Sequence, residues 1–279
     1  AKHYIANMKI GIIGYGVVGK AAANTLKHSH ELVLYDKYQD LDKFSSMKNC
    51  DMIFVMVPTP FNCEINMMDV SSVAENLNKL VNLRYDRIVI IKSTIPPGTS
   101  DAFAKEYNLD IVFNPEFLRE STTPYEDFAN QDIVVIGSDS ESTFSRVKEM
   151  FEKVLNPKAV YHHTSRNEAE MIKISQNTML ASRVSLANMI FDACQEKNIN
   201  YDKVKKIAFD SFEILGPHMS QVPGPDGKRG FGGKCLPKDI RTFSSIYNSE
   251  LLKSIISYNE TLRNDLDKFL IKYKAQIRD

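Results

Sequence analysis

The chain has 279 residues, with 35 Lys plus Arg against 35 Asp plus Glu; apolar residues make up 43% and charged residues 25%. That is ordinary globular usage, and the length suggests two domains or one large one. The zero formal charge argues against a nucleic-acid or acidic-membrane binder, and no apolar stretch approaches the ~18 residues that span a bilayer.

Ala1 to Asn7 carry Lys2, His3 and Asn7 without an apolar core, so they do not read as a signal peptide. Cys50, Cys63, Cys194 and Cys235 are scattered, with neither metal-ligand spacing nor dense pairing. The expectation is a reducing, cytoplasmic setting with no bound metal and no disulfide framework.

From Met8 onward, short Val/Ile-rich runs alternate with amphipathic stretches. Strands are expected at Lys9–Ile13, Glu31–Tyr35, Met52–Val57, Ile88–Ile91, Ile111–Phe113 and Ile133–Ile136. Helices are expected near Val17–His28, Asp69–Leu83, Thr99–Tyr107 and Ser140–Val154. Continuously apolar strands between helices are the pattern of a parallel sheet covered on both faces. Residues 1–165 therefore read as a doubly wound α/β domain of the Rossmann type.

The character changes after Ser165. Arg166 to Asn198 has no proline or glycine and keeps a helical apolar period, which predicts one helix of roughly 50 Å. A Gly/Pro-rich stretch from Gly216 to Gly233 follows, then helix from Lys238 to the end, with Leu, Ile, Tyr and Phe repeating through Leu251–Ile277. Residues 166–279 read as a small all-α domain interrupted by one loop.

Gly14-Tyr15-Gly16-Val17-Val18-Gly19 follows the first strand and opens the first helix. Such glycines permit a tight turn, close approach of a pyrophosphate and tight helix–strand packing, with the phosphate on the helix's free amides. Asp36 ends the second strand 22 residues after Gly14, where a carboxylate binds both ribose hydroxyls of NAD and repels a 2′-phosphate. Lys37 beside it weakens the preference for NAD over NADP a little without reversing it. Pro58 and Thr59 in Val57–Pro60, and Thr94 in Lys92–Gly98, leave later strands at the sheet edge where ligands bind, although turn chemistry alone accounts for them equally well.

Cys235 lies in Gly230-Phe231-Gly232-Gly233-Lys234-Cys235-Leu236-Pro237-Lys238-Asp239. A thiol just before a helix start gains from the positive end of the helix dipole, and Lys234 and Lys238 act in the same sense. Asp239, one helical turn on, is placed as a neighbouring base or orienting group, so Cys235 reads as a nucleophile. Lys173 and Asn177 share a face of the long helix with Glu170 near them; taken alone they are a solvated polar stripe. Glu116 and Glu120 likewise read as loop charges, and His162 and His163 as structural.

Taken in order, these motifs resemble one family, the nucleotide-sugar 6-dehydrogenases. The matching stations are Gly14–Gly19, Val57–Pro60, Ser93-Thr94 with Pro96–Gly98, Asn114–Glu120, Lys173 with Asn177, and Gly230–Asp239. The resemblance implies oxidation of a sugar primary alcohol to a carboxylate with two NAD, UDP-glucose being the leading substrate. Cys235 would pass through a thiohemiacetal and a thioester, and Lys173 and Asn177 would stabilise the oxyanion. Asp239 and Thr94 would position the lysine and a water. Glu120 would move protons during thioester hydrolysis, with Glu116 in support. The backbone of Phe117, Leu118 and Arg119, and that of Phe231, Gly232 and Gly233, would hold the nucleotide sugar.

The resemblance also implies a homodimer through the central helix, whose Leu180, Val184, Ala187 and Phe191 suit either an interface or an internal core. Members carry a further α/β domain beyond the point where this sequence stops. Asp210–Ile214 lacks the arginine that in the family reaches a neighbouring subunit's substrate, and Pro225–Arg229 is extra sequence from which Lys228 or Arg229 would contact a phosphate. A 3-hydroxyacid dehydrogenase with one hydride transfer, and a catalytically silent binding protein, remain the alternatives.

Overall fold

Residue alternation along the strands decides the first layer of structure. In the computed structural model, which describes residues 7–213, 215 and 221–263, the chain divides into two units after Lys173, the short segment Cys63–Met67 belonging with the second. Expectations for Ala1–Ala6, Ile214, Gly216–Ser220 and Asn264–Asp279 lie outside the described residues.

The first unit runs β1 (Lys9–Ile13), α1 (Val17–Leu26), β2 (Glu31–Tyr35), a 3-10 turn (Phe44–Asn49) and β3 (Met52–Val55). The hairpin strands β4 (Phe61–Asn62) and β5 (Met67–Met68) lead to α2 (Ser71–Asn82), β6 (Ile88–Ile91), α3 (Thr99–Tyr107), β7 (Asp110–Phe113) and α4 (Pro124–Ala129). Then come β8 (Ile133–Gly137), α5 (Glu141–Glu152), β9 (Val160–Thr164) and the start of α6 (Arg166–Glu196). The main sheet has the order β2-β1-β3-β6-β7-β8-β9, and its pairings are parallel except for the single β7–β8 contact at Phe113 and Gly137. Helices on both faces make this the doubly wound architecture expected of residues 1–165.

Both faces are apolar because successive strand residues point opposite ways. Ile10, Ile12, Met52, Phe54, Ile88 and Ile90 enter one core, which α1 and α5 cover with Ala21, Ala22, Leu26, Val147 and Phe151. Ile53, Val55, Val89, Ile91, Ile111 and Phe113 enter the other, which α2 and α3 cover with Val73, Leu77, Leu80 and Phe103. The sequence reading did not mark β9, the hairpin β4–β5, or α4. β9 is half-exposed and carries His162 and His163, so it lacks the apolar run that marks a strand. His163 stacks on Phe144 and contacts Ser138 and Glu141, a structural role as read.

The second unit holds the rest of α6, then α7 (Tyr201–Lys205), a π-turn (Lys206–Asp210), α8 (Leu236–Ile246) and α9 (Glu250–Arg263). The helix expected from Lys238 onward is two helices, broken at Tyr247–Ser249. Two small cores hold the unit together. Ala181 and Val184 of α6 pack with Phe231, Ile240 and Leu252, and Ala187, Phe191 and Cys194 pack with Tyr201 and Val222. Val184, Ala187 and Phe191 thus serve an internal core.

The origin of α6 is fixed by charge. Arg166, 7% exposed, donates to Asp101 on α3 (2.6 Å), to the carbonyl of Ile111 on β7 (2.9 Å) and to Asp139. One turn later Glu170 is fully buried, and its carboxylate accepts the Gly98 and Ser100 amides, both at 2.7 Å. These are orphan donors at the start of α3, whose cap residue Gly98 has φ 94° and no side chain to offer. Burial pushes the Glu170 carboxyl up to about 7, against the pull of the two amides.

Because its folded value lies above the ordinary 4.5, the protonated folded state is favoured, and this group's contribution to stability falls as pH rises from about 4.5 through 7. Denaturant unfolding should show a loss of about 2 kcal/mol from this source between pH 5 and pH 8, absent in Glu170→Gln. Glu170→Ala should cost about 2 kcal/mol at either pH by orphaning two amides, and an unchanged midpoint would refute the capping role.

Candidate functional site

The first unit presents its ligand edge where strand order reverses, between β1 and its neighbours β2 and β3, the crevice that open α/β sheets use for binding. The glycine loop sits there. Gly14, at φ 97°, turns so tightly that an added Cβ would lie 2.3 Å from the Met56 carbonyl, and one on Gly19 would lie 2.1 Å from the Gly14 carbonyl. Gly16 differs: a Cβ there meets nothing within 4 Å. Gly14 and Gly19 are therefore required by the fold, while Gly16 faces open space beside the start of α1. Val17 and Val18 open that helix, which has no acidic residue in its first turn and no side-chain cap, so its amides await an acceptor.

Asp36 follows β2 and is half-buried. Its Oδ2 accepts the Tyr15 amide and its Oδ1 the Tyr38 amide, 2.8 and 2.9 Å, which ties it directly to the glycine loop. Each oxygen keeps a second lone pair for a ribose hydroxyl. Lys37 turns to Glu75, 3.7 Å away, so its charge is partly answered by the protein itself. A loop cradle with open space at Gly16, uncapped amides and a carboxylate fixed beside them fits a dinucleotide.

The exits of β3 and β6 are joined. Ser93 Oγ donates to the Val57 carbonyl (2.7 Å) and accepts its amide (2.9 Å), and Thr59 Oγ1 donates to the Thr94 carbonyl (2.6 Å). Thr59 is buried, Pro58 is exposed and Thr94 is half-buried. Beyond β7, Glu116 Oε1 accepts the Phe117 and Leu118 amides (2.9 and 3.0 Å), and Asp127 holds the Arg119 amide (2.8 Å) and its guanidinium. That pairing holds the Asp127 carboxyl well below the usual range. The amides of all three loop residues are thus satisfied, two by Glu116 of the loop and one by Asp127 of α4. Glu120 is half-buried, and the Phe117 ring lies 5.5 Å from Lys173 Nζ.

Two residues that the sequence reading passed over stand behind this loop: Lys92, with a fully buried side chain, and Asn114. The available signal was a lysine directly after a strand whose every residue is buried, since such a charge requires a partner.

In the second unit Cys235 is the cap residue of α8, half-buried, with Leu236 and Pro237 forming the first turn. Its carbonyl accepts the Asp239 amide at 2.9 Å, so the two residues share that turn. Asp239 is fully buried, and its Oδ2 accepts from Asn177 Nδ2 at 2.5 Å. Its Oδ1 has no hydrogen-bond partner among the described residues, the Lys238 ammonium lying 3.8 Å away. Lys173 and Asn177 are both buried one turn apart on α6, which a solvated stripe would not be.

The glycine stretch before Cys235 is pinned by its own unit. Asn259 accepts the Phe231 amide (2.7 Å) and donates to its carbonyl (3.0 Å), and Arg263 donates to the Arg229 and Gly230 carbonyls. A Cβ on Gly230 would lie 2.4 Å from Asn259, and one on Gly232 2.2 Å from Arg263. Gly233 takes φ 78° and is exposed. Arg229 is committed to Asp192 (2.5 Å) and stacks over Phe191, while Lys228 is exposed.

Comparison with known proteins now bears on the whole chain. The NAD binding domain of the UDP-glucose/GDP-mannose dehydrogenase family matches residues 39–155, and its central domain matches residues 167–261. The chain belongs to this family. The UDP-glucose 6-dehydrogenase of Campylobacter jejuni is 28% identical over 97% of this chain and 76% of its own length. That of Rickettsia prowazekii is 29% identical over 84% of this chain, which there spans only 54% of the relative. The structure of a UDP-glucose dehydrogenase from Pyrobaculum islandicum shares the fold, with a TM-score of 0.81 at 23% identity over 94% of this chain and 70% of that one. NAD is accordingly the cofactor; the glycine loop itself lies ahead of the matched NAD-binding segment. No helix among the described residues is long and apolar enough to cross a membrane.

Gly16→Val separates ligand space from fold. It should leave the melting temperature within about a degree, because nothing lies near the new side chain, and weaken NAD binding at least tenfold, about 1.4 kcal/mol. Calorimetric titration with NAD checks this; an unchanged Kd would remove the loop from the cofactor site.

Proposed function

We propose that the chain serves the NAD-dependent oxidation of a nucleotide sugar, UDP-glucose in the first instance, from the C6 alcohol to the uronic acid. The observation that carries the proposal is the first turn of α8, where Cys235 caps the helix and Asp239 holds the Asn177 amide. NAD, when bound, accepts one hydride at each of the two oxidations. The alcohol first loses a hydride and a proton to give the aldehyde. The Cys235 thiolate then adds to the carbonyl carbon, forming a C–S bond, and the oxygen takes up a proton to give a thiohemiacetal. Loss of a second hydride and that proton gives a thioester, and water cleaves the C–S bond to release the carboxylate and restore the thiol.

Lys173 and Asn177 are the oxyanion donors in this reading, a cation and an amide held on one helix. A carboxylate only accepts, so Asp239 obliges Asn177 to present its NH2 to it and fixes how the amide lies. Glu120 moves protons during thioester hydrolysis, and Thr94 holds a water. The backbone of Phe117, Leu118 and Arg119, whose amides are already used, meets sugar hydroxyls with its carbonyls. Phe231, Gly232 and Gly233 support the remainder of the nucleotide sugar. A thiol-dependent reaction suits the reducing, cytoplasmic setting read from the cysteines.

Counting NADH formed per UDP-glucose consumed tests the proposal: two are expected, and Cys235→Ser should lose net turnover. One NADH per substrate, kept in Cys235→Ser, would mark a 3-hydroxyacid dehydrogenase instead. Silence with NAD binding intact would mark a binding protein.

The proposal includes a homodimer through α6. With Val184, Ala187 and Phe191 facing inward, the helix still exposes Met179 (66%), Leu186 (54%) and Met189 (53%), a stripe at seven- and three-residue steps. Leu186→Glu should convert a dimer to a monomer in light scattering while leaving helical content unchanged. A wild-type monomer at high micromolar concentration would exclude the interface.

A further inference from the structure

We propose that Lys92 is a positioning residue for the sugar-holding loop: its buried ammonium fixes Glu116, and Glu116 fixes the backbone of Phe117 and Leu118. The inference rests on the reading of residues 116–120 as that loop. Lys92 follows β6 with a side chain 0% exposed, and its Nζ donates to Asn114 Oδ1 at 2.8 Å. Glu116 Oε2 lies 3.0 Å from the same nitrogen, a charge contact off the hydrogen-bond direction. Asn114 is held in turn, because its Nδ2 donates to the Val135 carbonyl of β8 at 2.7 Å. The Phe128 ring lies 5.4 Å from the ammonium and completes the enclosure.

A pair this deep is a poor way to gain stability. Two well-packed apolar side chains of the same volume would serve the core as well or better, since both charges surrender their hydration. What the pair does that an apolar core would not is hold one oxygen of Glu116 against Lys92 while the other accepts two successive loop amides. A carboxylate anchored at one end and accepting at the other allows the Phe117–Leu118 turn a single placement. Burial pushes the Lys92 ammonium down, Glu116 holds it up, and Lys173 adds to the downward push, so the two lysines lie within electrostatic reach. The Phe117 ring that the turn presents lies over Lys173 Nζ. Lys92 therefore acts on the proposed site through two intermediaries, the loop backbone and the ring beside Lys173.

Lys92→Met in the full chain tests this with two readouts. Hydrogen exchange at the Phe117 and Leu118 amides should accelerate at least tenfold, and the KM for UDP-glucose should rise at least tenfold with the KM for NAD unchanged. A core substitution without a positioning role would lower stability but leave that split absent. Lys92→Met/Glu116→Gln removes both charges yet keeps an acceptor, and should restore protection of the two amides. If Lys92→Met does not fold, Lys92→Gln takes its place with the same expectations. Unchanged exchange at the two amides, or equal effects on both KM values, would overturn the inference. A wild-type chain silent toward UDP-glucose would defeat the functional reading instead, and the amide exchange would still decide the role of Lys92.

Discussion

The start of α6 is where the first unit ties a helix down with buried charge, and the placement of Lys173 follows from it. Arg166 reaches α3, β7 and the β8–α5 turn, and Glu170 fills the amino end of α3. A helix transmits such an anchor along its length at 1.5 Å per residue, so Lys173, still in the first unit, inherits its position from contacts three to seven residues earlier. Removing water from Glu170 is costly, and two short amide bonds offset part of that cost, which is why its carboxyl titrates near neutrality.

Glycine serves three different purposes in this one chain. Gly14 is excluded from bearing a side chain by the Met56 carbonyl beyond β3, and Gly19 by the Gly14 carbonyl within its own βα turn. Gly230 and Gly232 are excluded by Asn259 and Arg263, so the stretch before Cys235 owes its composition to side chains of α9. At Gly16 an added Cβ would meet nothing within 4 Å among the described residues, so the fold itself sets no such exclusion there.

The first unit was legible in the sequence because its central strands β3 and β6 are buried at every residue and thus apolar without interruption, and its other early strands are rich in Val, Ile and Leu. β1, β2 and β6 fall on the expected residues. β9 was not legible because its pairing with β8 comes from backbone hydrogen bonds while its side chains include Tyr161, His162 and His163. The polar stations divide the same way. Cys235 beside a helix start and the glycine loop carry their meaning in local spacing. Lys92, Asn114 and the capping task of Glu170 depend on partners 22 to 72 residues away, and no local pattern encodes such a distance. The central-helix residues Leu180, Val184, Ala187 and Phe191 illustrate the remaining limit: a 3.6-residue period marks a buried face without saying which surface buries it.

The Asn177–Asp239 pair shows how far a single short contact constrains chemistry. Asp239 can only accept, so the amide nitrogen must face it, and one of the two Asn177 hydrogens is used there. The second hydrogen then diverges by the fixed geometry of an amide, in a plane set by the carboxylate. Replacing Asp239 with asparagine would leave either end of Asn177 able to face it and would free the amide to flip. Alanine would instead remove the carboxylate oxygen that accepts from Asn177 Nδ2. The first turn of α8, which holds Asp239, carries Cys235 as its cap, so the orientation of the amide and the placement of the thiol are set by one piece of backbone.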